Sequence, residues 1–139
     1  MIIADTTVLI DLWRGRSGVK KCLEKLEEET FCISAISIEE IFDGLGYTME
    51  KKGKDFYKKI REQFEKILKD FEIIPLNLAM LKQSGTFRGQ FRAKGITLDL
   101  GDCIIGATAK AVNAKKIISR NPNHFKEFEI PFESYEFDK

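Results

Sequence analysis

The chain has 139 residues and a formal net charge of +1 at pH 7. This near-balanced charge excludes a uniformly basic nucleic-acid-binding domain, and the apolar runs are too short to predict a membrane span. Three cysteines without paired spacing exclude a zinc knuckle or redox motif and are typical of reduced core thiols in a cytoplasmic protein. Length and the lack of a linker-like stretch predict one domain over residues 1–139.

Short apolar runs alternate along the chain with longer segments of helical periodicity. This alternation is typical of strands and crossover helices around a parallel sheet. We predict strands at residues 2–4, 31–33, 73–75 and 116–119, with an edge strand as a further candidate at residues 132–137. The predicted fold is therefore α/β, with a central parallel sheet of four to five strands flanked by helices.

The intervening segments carry apolar residues at helical spacing. They predict helices around residues 8–13, 19–26, 36–45, 56–71, 78–91 and 100–114. Side chains in the last helix are mostly small, which lets a helix pack close to a sheet. The basic run at residues 51–61 predicts a solvated helix face. Trp13, Phe87 and Phe91 have the spacing of core or subunit contacts, although exposed aromatic rings could also stack on bases.

Acidic residues stand at several predicted strand ends and helix starts. Asp5 follows the first strand, at the edge where parallel α/β sheets bind their ligands. Asp99 and Asp102 are three residues apart and share one helix face, although acids in a first helical turn also cap amides and complement the helix dipole. Glu39 and Glu40 open the helix after the second strand, and periodicity does not choose between them.

A convergence of these acids would place several negative charges in one site. Two unit charges about 4 Å apart repel by roughly 1 kcal/mol in water and by about 4 kcal/mol at an effective dielectric of 20. Oxygen ligands without Cys or a second His select a hard cation such as Mg²⁺ or Mn²⁺. Asn121, after the last core strand, suits a metal-bound water or a phosphate. Phosphodiester hydrolysis is the chemistry that this pattern favours.

Four segments in this order resemble the PIN-domain ribonucleases of the VapC toxin type. They are DTTVLID at 5–11, IEEIFDG at 38–44, DLGDCIIGATA at 99–109 and SRNPNHF at 119–125. The resemblance implies a three-layer PIN-like fold and a Mg²⁺- or Mn²⁺-dependent endoribonuclease that cleaves RNA. It also implies the toxin component of a VapBC-type toxin–antitoxin pair, a homodimer, and a cognate VapB-like antitoxin as partner.

The resemblance also assigns roles to individual residues. Glu40 is preferred to Glu39 because the family has Gly four residues after the acid, here Gly44. The implied mechanism is in-line attack by a metal-activated water, leaving a 5′-phosphate and a 3′-hydroxyl. The assigned residues are Asp5, Glu40, Asp99 and Asp102 for catalysis and metal binding, Thr6, Ser119 and Asn121 for hydrogen bonds around the metal, and Arg14, Arg16, Arg88, Arg92 and Arg120 for RNA phosphates.

The sequence departs from the family pattern at two positions, the first of which is Thr7, where the family often has Asn. Many members have Asp where this chain has Asn121, which implies one firmly bound metal and a weak second one. A catalytically weak PIN-like domain that binds RNA or protein therefore remains an alternative. A Mg²⁺-dependent phosphatase of the haloacid dehalogenase kind is disfavoured, because Thr7 occupies the place of its second Asp. His124, the single histidine, is predicted to be a turn or packing residue beside Phe125.

Overall fold

The computed structural model describes residues 1–136, so Phe137, the last residue of the predicted edge strand, lies outside the described part. The strands are β1 (Ile2–Ala4), β2 (Phe31–Ser34), β3 (Glu72–Ile74), β4 (Lys116–Ile118) and β5 (Phe132–Glu133). The helices are α1 (Thr6–Trp13), α2 (Ser17–Lys25), α3 (Ala35–Lys52), α4 (Lys54–Leu68), α5 (Leu78–Ala93) and α6 (Leu100–Ala111), with a 3₁₀ helix at Pro122–Phe128.

The five strands form one parallel sheet in the order β3-β2-β1-β4-β5. The predicted α/β class, with a parallel sheet of four to five strands flanked by helices, is confirmed. In the central strand β1, Ile2 pairs with Phe31 of β2 and with Lys116 of β4. The carboxyl ends of these three strands therefore lie side by side, and the segments that follow them start at the same edge.

Two apolar clusters pack on the two faces of the sheet. Side chains alternate along β1, so Ile2 and Ala4 join one cluster and Ile3 joins the other. In the first cluster the Trp13 and Phe64 rings stack with centroids 5.4 Å apart. In the second, Phe87 stacks on Phe128 at 4.5 Å. Both contacts agree with the packing role predicted for these aromatic residues. Among the helices of residues 1–136, none combines the length and apolar character of a membrane span.

The helical hairpin formed by α3 and α4 differs from the prediction in its boundaries. The helix predicted at residues 36–45 continues to Lys52, through a segment that contains Gly46 and whose large apolar residues are Tyr47 and Met49. The break comes at Gly53, whose φ of 91° is a conformation that favours glycine. The following helix begins at Lys54 and ends at Leu68, earlier at both ends than the predicted 56–71.

The small residues of α6 allow close packing against the 3₁₀ helix. A Cβ atom built at Gly106 would overlap the ring of Phe128, which is buried. We expect Gly106→Ala to lower the free energy of unfolding by about 1–3 kcal/mol, because an overpacked core must shift its backbone or rotamers. Urea denaturation of the purified chain measures this change.

Gly85 in α5 provides the matched control, because a Cβ there meets open space. Gly85→Ala should raise the free energy of unfolding by roughly 0.5–1 kcal/mol, since alanine is the better helix former. If Gly106→Ala is as stable as the unmodified chain, the contact between α6 and Phe128 is not as tight as described.

Candidate active site

The residues at the carboxyl edge of the sheet surround one cavity of about 430 Å³. Asp5 comes directly after β1, Glu40 lies in α3 after β2, and the 3₁₀ helix that carries His124 follows β4. The start of α6 supplies the remaining acids. The cavity is lined by Asp5, Thr6, Thr7, Ile10, Glu40, Asp99, Asp102 and His124. The structure therefore brings together all four acids that the sequence assigned to the site.

Asp5 is buried, with 2% of its surface exposed, and three donors hold its carboxylate. The hydroxyls of Thr7 and Ser119 each donate at 2.5 Å, and the Val8 amide donates at 3.3 Å, so Asp5 also caps α1. Burial raises the pKa of Asp5, while these hydrogen bonds lower it. The carboxylate is thus fixed in one orientation, in a place that water hardly reaches.

Glu40 projects from α3 into the cavity, whereas its neighbour Glu39 is exposed to solvent. The Thr6 hydroxyl donates to Oε1 of Glu40 at 2.8 Å. Burial raises the pKa of Glu40, and the negative charges of Asp99 and Asp5 raise it further. The position of Glu40 therefore distinguishes it from Glu39, which periodicity alone could not do.

A glycine lies between the carboxylates of Glu40 and Asp99. A Cβ at Gly101 would be 2.9 Å from Oε2 of Glu40 and 3.2 Å from Oδ2 of Asp99. Any side chain at this position would push at least one carboxylate away. Gly101 therefore allows two negative side chains to approach the same point of α6.

Asp99 and Asp102 occupy the start of α6. Asp99 caps the helix, because its carboxylate accepts a hydrogen bond from the amide of Asp102 at 3.1 Å. The same residue also lines the cavity, so it has both of the roles that the sequence left open. Burial raises the pKa of Asp102 to about 6, and repulsion by Asp99 adds to the increase, while His124 opposes it. Burial and the charge of Asp99 therefore both favour the protonated form of Asp102.

His124 was predicted to be a turn or packing residue beside Phe125, and it does lie in the 3₁₀ helix, but its side chain is not packed in the core. Its Nδ1 lies 3.1 Å from Oδ2 of Asp102, and its side chain is about half exposed at the mouth of the cavity. The neighbouring Phe125 is fully buried, which turns the preceding residue of the 3₁₀ helix outward. One sequence signal could have indicated that His124 lies at the site: its position shortly after the last core strand, at the edge of the sheet where the acids lie.

Sequence reasoning also missed a buried network behind Asp5. Asp11 is fully buried, pairs with the Arg120 guanidinium at 3.0 Å and accepts the Tyr135 hydroxyl at 2.6 Å. The backbone amide of Arg120 donates to the Thr7 hydroxyl, which in turn donates to Asp5. The network therefore holds the segment after β4 against the residues that orient Asp5.

The arginines assigned to RNA phosphates are not part of the cavity lining. Arg120 pairs with Asp11, and Nε of Arg88 donates to the Leu98 carbonyl at 2.9 Å. Arg14 and Arg92 are exposed, and Arg16 is half-buried. Three residues were predicted to form hydrogen bonds around the metal. Thr6 lines the cavity, and the Ser119 hydroxyl donates to Asp5. Asn121 donates its backbone amide to the Ser119 hydroxyl at 2.9 Å.

The donor set of the cavity fits a hard divalent cation. Four carboxylates face it, and among residues 1–136 their salt-bridge partner is the His124 ring alone. Within the same residues, no three acidic, histidine or cysteine side chains are already close enough together to form a metal site. Mg²⁺ usually keeps several of its waters, so such an ion could reach these oxygens through water.

Comparisons with known proteins agree with this architecture. The sequence pattern of the PIN domain family matches residues 2–130. Among solved structures, VapBC2 from Rickettsia felis, bound to a DNA fragment from its promoter, superposes with a TM-score of 0.81 and 23% identity, over 98% of this chain and 100% of that one. FitAcB from Neisseria gonorrhoeae gives a TM-score of 0.77 and 24% identity, over 95% and 96% of the two chains.

A more distant match is VapC20 of Mycobacterium tuberculosis, a sarcin-ricin loop cleaving toxin. Its TM-score is 0.59 at 12% identity, over 84% of this chain and 87% of that one. A search of curated proteins gives no match. The fold, the cavity at the sheet edge and the family match together define the class of protein: this chain belongs to the PIN domain family.

The raised pKa of Asp102 predicts a pH-dependent stability of the metal-free chain. Between the ordinary pKa of 3.8 and the folded pKa of about 6, the folded state still holds the proton that the unfolded state has released. The contribution of Asp102 to stability therefore falls as pH rises through this window. We expect Asp102→Asn to gain stability relative to the unmodified chain between pH 4.5 and pH 7.

Urea denaturation in the presence of a chelator, at several pH values, measures this difference. Asp43→Asn, which removes an exposed carboxylate elsewhere on α3, is the matched control for loss of one charge. A stability difference for Asp102→Asn that does not change with pH would contradict the burial and repulsion described for Asp102.

Proposed function

We propose that this chain is a Mg²⁺- or Mn²⁺-dependent endoribonuclease, the VapC-like toxin of a toxin–antitoxin pair. The observation that carries the proposal is the convergence of Asp5, Glu40, Asp99 and Asp102 on one cavity, in a chain of the PIN domain family. These acids come from three separate parts of the sequence. The likeness to a sarcin-ricin loop cleaving toxin supports the choice of RNA as the substrate.

The proposed metal would be held by Asp5, Glu40 and Asp102, directly or through water. Once bound, it would supply a Lewis acid for a phosphoryl oxygen and lower the pKa of an attacking water. Asp99 would serve as a further ligand or as the base that orients this water. The short hydrogen bonds from Thr7 and Ser119 keep the Asp5 carboxylate aimed at the cavity. The neutral Asn121 leaves one fewer charge, so we expect one firmly bound ion and a weak second one.

The proposed function also implies an antitoxin and a second copy of this chain as binding partners. Several similar structures are toxin–antitoxin complexes, and a VapB-like antitoxin with a basic segment would complement the acidic cavity. We propose that the chain acts as a homodimer in the cytoplasm, where free RNA and its antitoxin are both available. The short reading frame expected immediately upstream would encode that antitoxin.

RNA cleavage in Mg²⁺ or Mn²⁺ tests the function directly. We expect Asp5→Asn, Glu40→Gln and Asp102→Asn each to lower the cleavage rate roughly 100-fold or more, because each removes a charge that the reaction uses. A chelator should abolish cleavage, and added Mg²⁺ should restore it. The readout is the rate of cleavage of a set of structured and unstructured RNAs.

Glu39→Gln is the matched control, because it removes the neighbouring but exposed carboxylate and should leave the rate within about twofold. Cleavage that survives the three cavity substitutions would show that these acids are not the site. An unmodified chain that cleaves none of the RNAs would instead favour a PIN domain that only binds RNA or protein.

Gly101 provides a second test that does not depend on activity. We expect Gly101→Ala to weaken Mn²⁺ binding about tenfold, because the added Cβ would displace the Glu40 carboxylate. Isothermal titration with Mn²⁺ measures this affinity. The chain should keep its thermal stability, since the end of a flexible side chain can move at little cost.

Gly46→Ala in α3 is the control for adding a methyl group to a helix, because its Cβ would meet open space. Its Mn²⁺ affinity should equal that of the unmodified chain. Unchanged Mn²⁺ binding in Gly101→Ala would show that Glu40 does not hold the metal.

A further inference from the structure

The junction between α3 and α4 carries a concentration of positive charge. Between residues 51 and 61 the sequence has six basic side chains and a single acid, Asp55. Within residues 1–136 none of these basic side chains forms a salt bridge with a carboxylate. Five of the six are exposed: Lys51, Lys52, Lys54, Lys58 and Lys59. Their charge is therefore available to an anionic partner.

Aromatic rings are interleaved with these lysines. Tyr47 is 66% exposed and Phe56 is 40% exposed, so both rings are accessible from solvent. The ammonium of Lys51 lies 5.7 Å from the centroid of the Tyr47 ring, and that of Lys52 lies 4.8 Å from the Phe56 centroid. Exposed rings beside lysines are the combination that binds single-stranded nucleic acid, because bases stack on the rings while the ammonium groups contact phosphates.

The helical register connects this surface to the cavity. Glu40, Gly44, Tyr47 and Lys51 are spaced four, three and four residues apart, so they lie along one stripe of α3. At 1.5 Å per residue, Lys51 is about 16 Å from Glu40 along the helix. A Cβ at Gly44 would meet open space, so no neighbouring side chain covers the stripe at that point.

A second cavity continues the first along the same stripe. Its volume is about 190 Å³, and its lining includes Gly44, Thr48 and Trp13. Ile10 and Glu40 line both this cavity and the one that contains the four acids. A chain that leaves the acidic cavity along α3 would therefore pass over Gly44 and reach Tyr47 and Lys51.

We propose that Tyr47, Lys51, Lys52 and Phe56, which we name the α3–α4 tip, bind the single-stranded part of the RNA that flanks the cleaved phosphate. This inference rests on the proposed function, because its occupant is the substrate of the proposed nuclease. The acids of the cavity repel a phosphate chain, so affinity for RNA has to come from positive surface elsewhere. The tip supplies that charge in line with Glu40.

Binding of a labelled single-stranded RNA tests the tip separately from cleavage. The measurement is fluorescence anisotropy in Mg²⁺ over a range of KCl concentrations, in the Asp5→Asn background so that the RNA stays intact. We expect the pair Lys51→Glu and Lys52→Glu to weaken binding about tenfold or more. The slope of log K against log salt should fall by roughly 1.4, since two phosphate contacts are lost at about 0.7 each.

Substitutions of Tyr47 distinguish the contribution of base stacking to RNA binding from that of charge. Tyr47→Ala should weaken RNA binding by roughly fivefold or more without changing the salt slope, because one stacked base is worth about 1–3 kcal/mol. Tyr47→Phe keeps the ring and should bind as the parent does. The pair Lys20→Glu and Lys21→Glu on α2 makes the same change in net charge on another exposed surface and should leave binding within about twofold.

Each other outcome has a definite meaning. Equal weakening by the two lysine pairs would show that only net charge matters and would overturn the tip proposal. Unchanged binding in the tip variants, or no RNA binding by the parent, would overturn it as well. Tip variants that keep RNA but lose a co-purified antitoxin would make the tip a protein surface and also overturn it. Tip-dependent binding by a chain that cleaves no RNA would refute the nuclease while leaving the tip proposal standing.

Discussion

The buried carboxylate of Asp5 is the feature on which the site depends. A charge at 2% exposure is costly unless donors replace its water, and here two hydroxyls and an amide do so in part, while burial still raises the pKa of Asp5. Ser119 can donate because the pairing of β1 with β4 brings it beside Asp5. Thr7 is held in turn by the backbone of Arg120, whose guanidinium is fixed by the buried Asp11.

The other acids of the cavity have fewer donors than Asp5, since Glu40 accepts the Thr6 hydroxyl and Asp102 contacts the His124 ring. Burial and mutual repulsion raise the pKa values of both Glu40 and Asp102. Gly101 removes the side chain that would keep Glu40 and Asp99 apart. A fold that concentrates negative charge in this way gives up some stability, which a bound cation would restore by offsetting the repulsion. Such local conflict is expected at functional sites.

Much of the fold could be predicted because its signals are local. Short apolar runs and helical spacing located the strands and most helices, and the alternation of the two implied a parallel sheet. The end of α3 was missed because Gly46 and the polar residues of its last turns weaken the apolar pattern there. The contact of His124 with Asp102 was not predicted, because it depends on how the 3₁₀ helix packs, and neither residue indicates that packing by its type or spacing.

The sequence by itself determined the α/β class, the order of the elements and the short segments in which the acids stand, since each follows from residues a few positions apart. Only the tertiary structure decided which groups meet. The Asp5–Ser119 hydrogen bond joins residues 114 positions apart, Asp11 and Arg120 are 109 apart, and Asp11 and Tyr135 are 124 apart. Contacts of that range depend on strand order and on the packing of helices against the sheet, neither of which local propensity specifies.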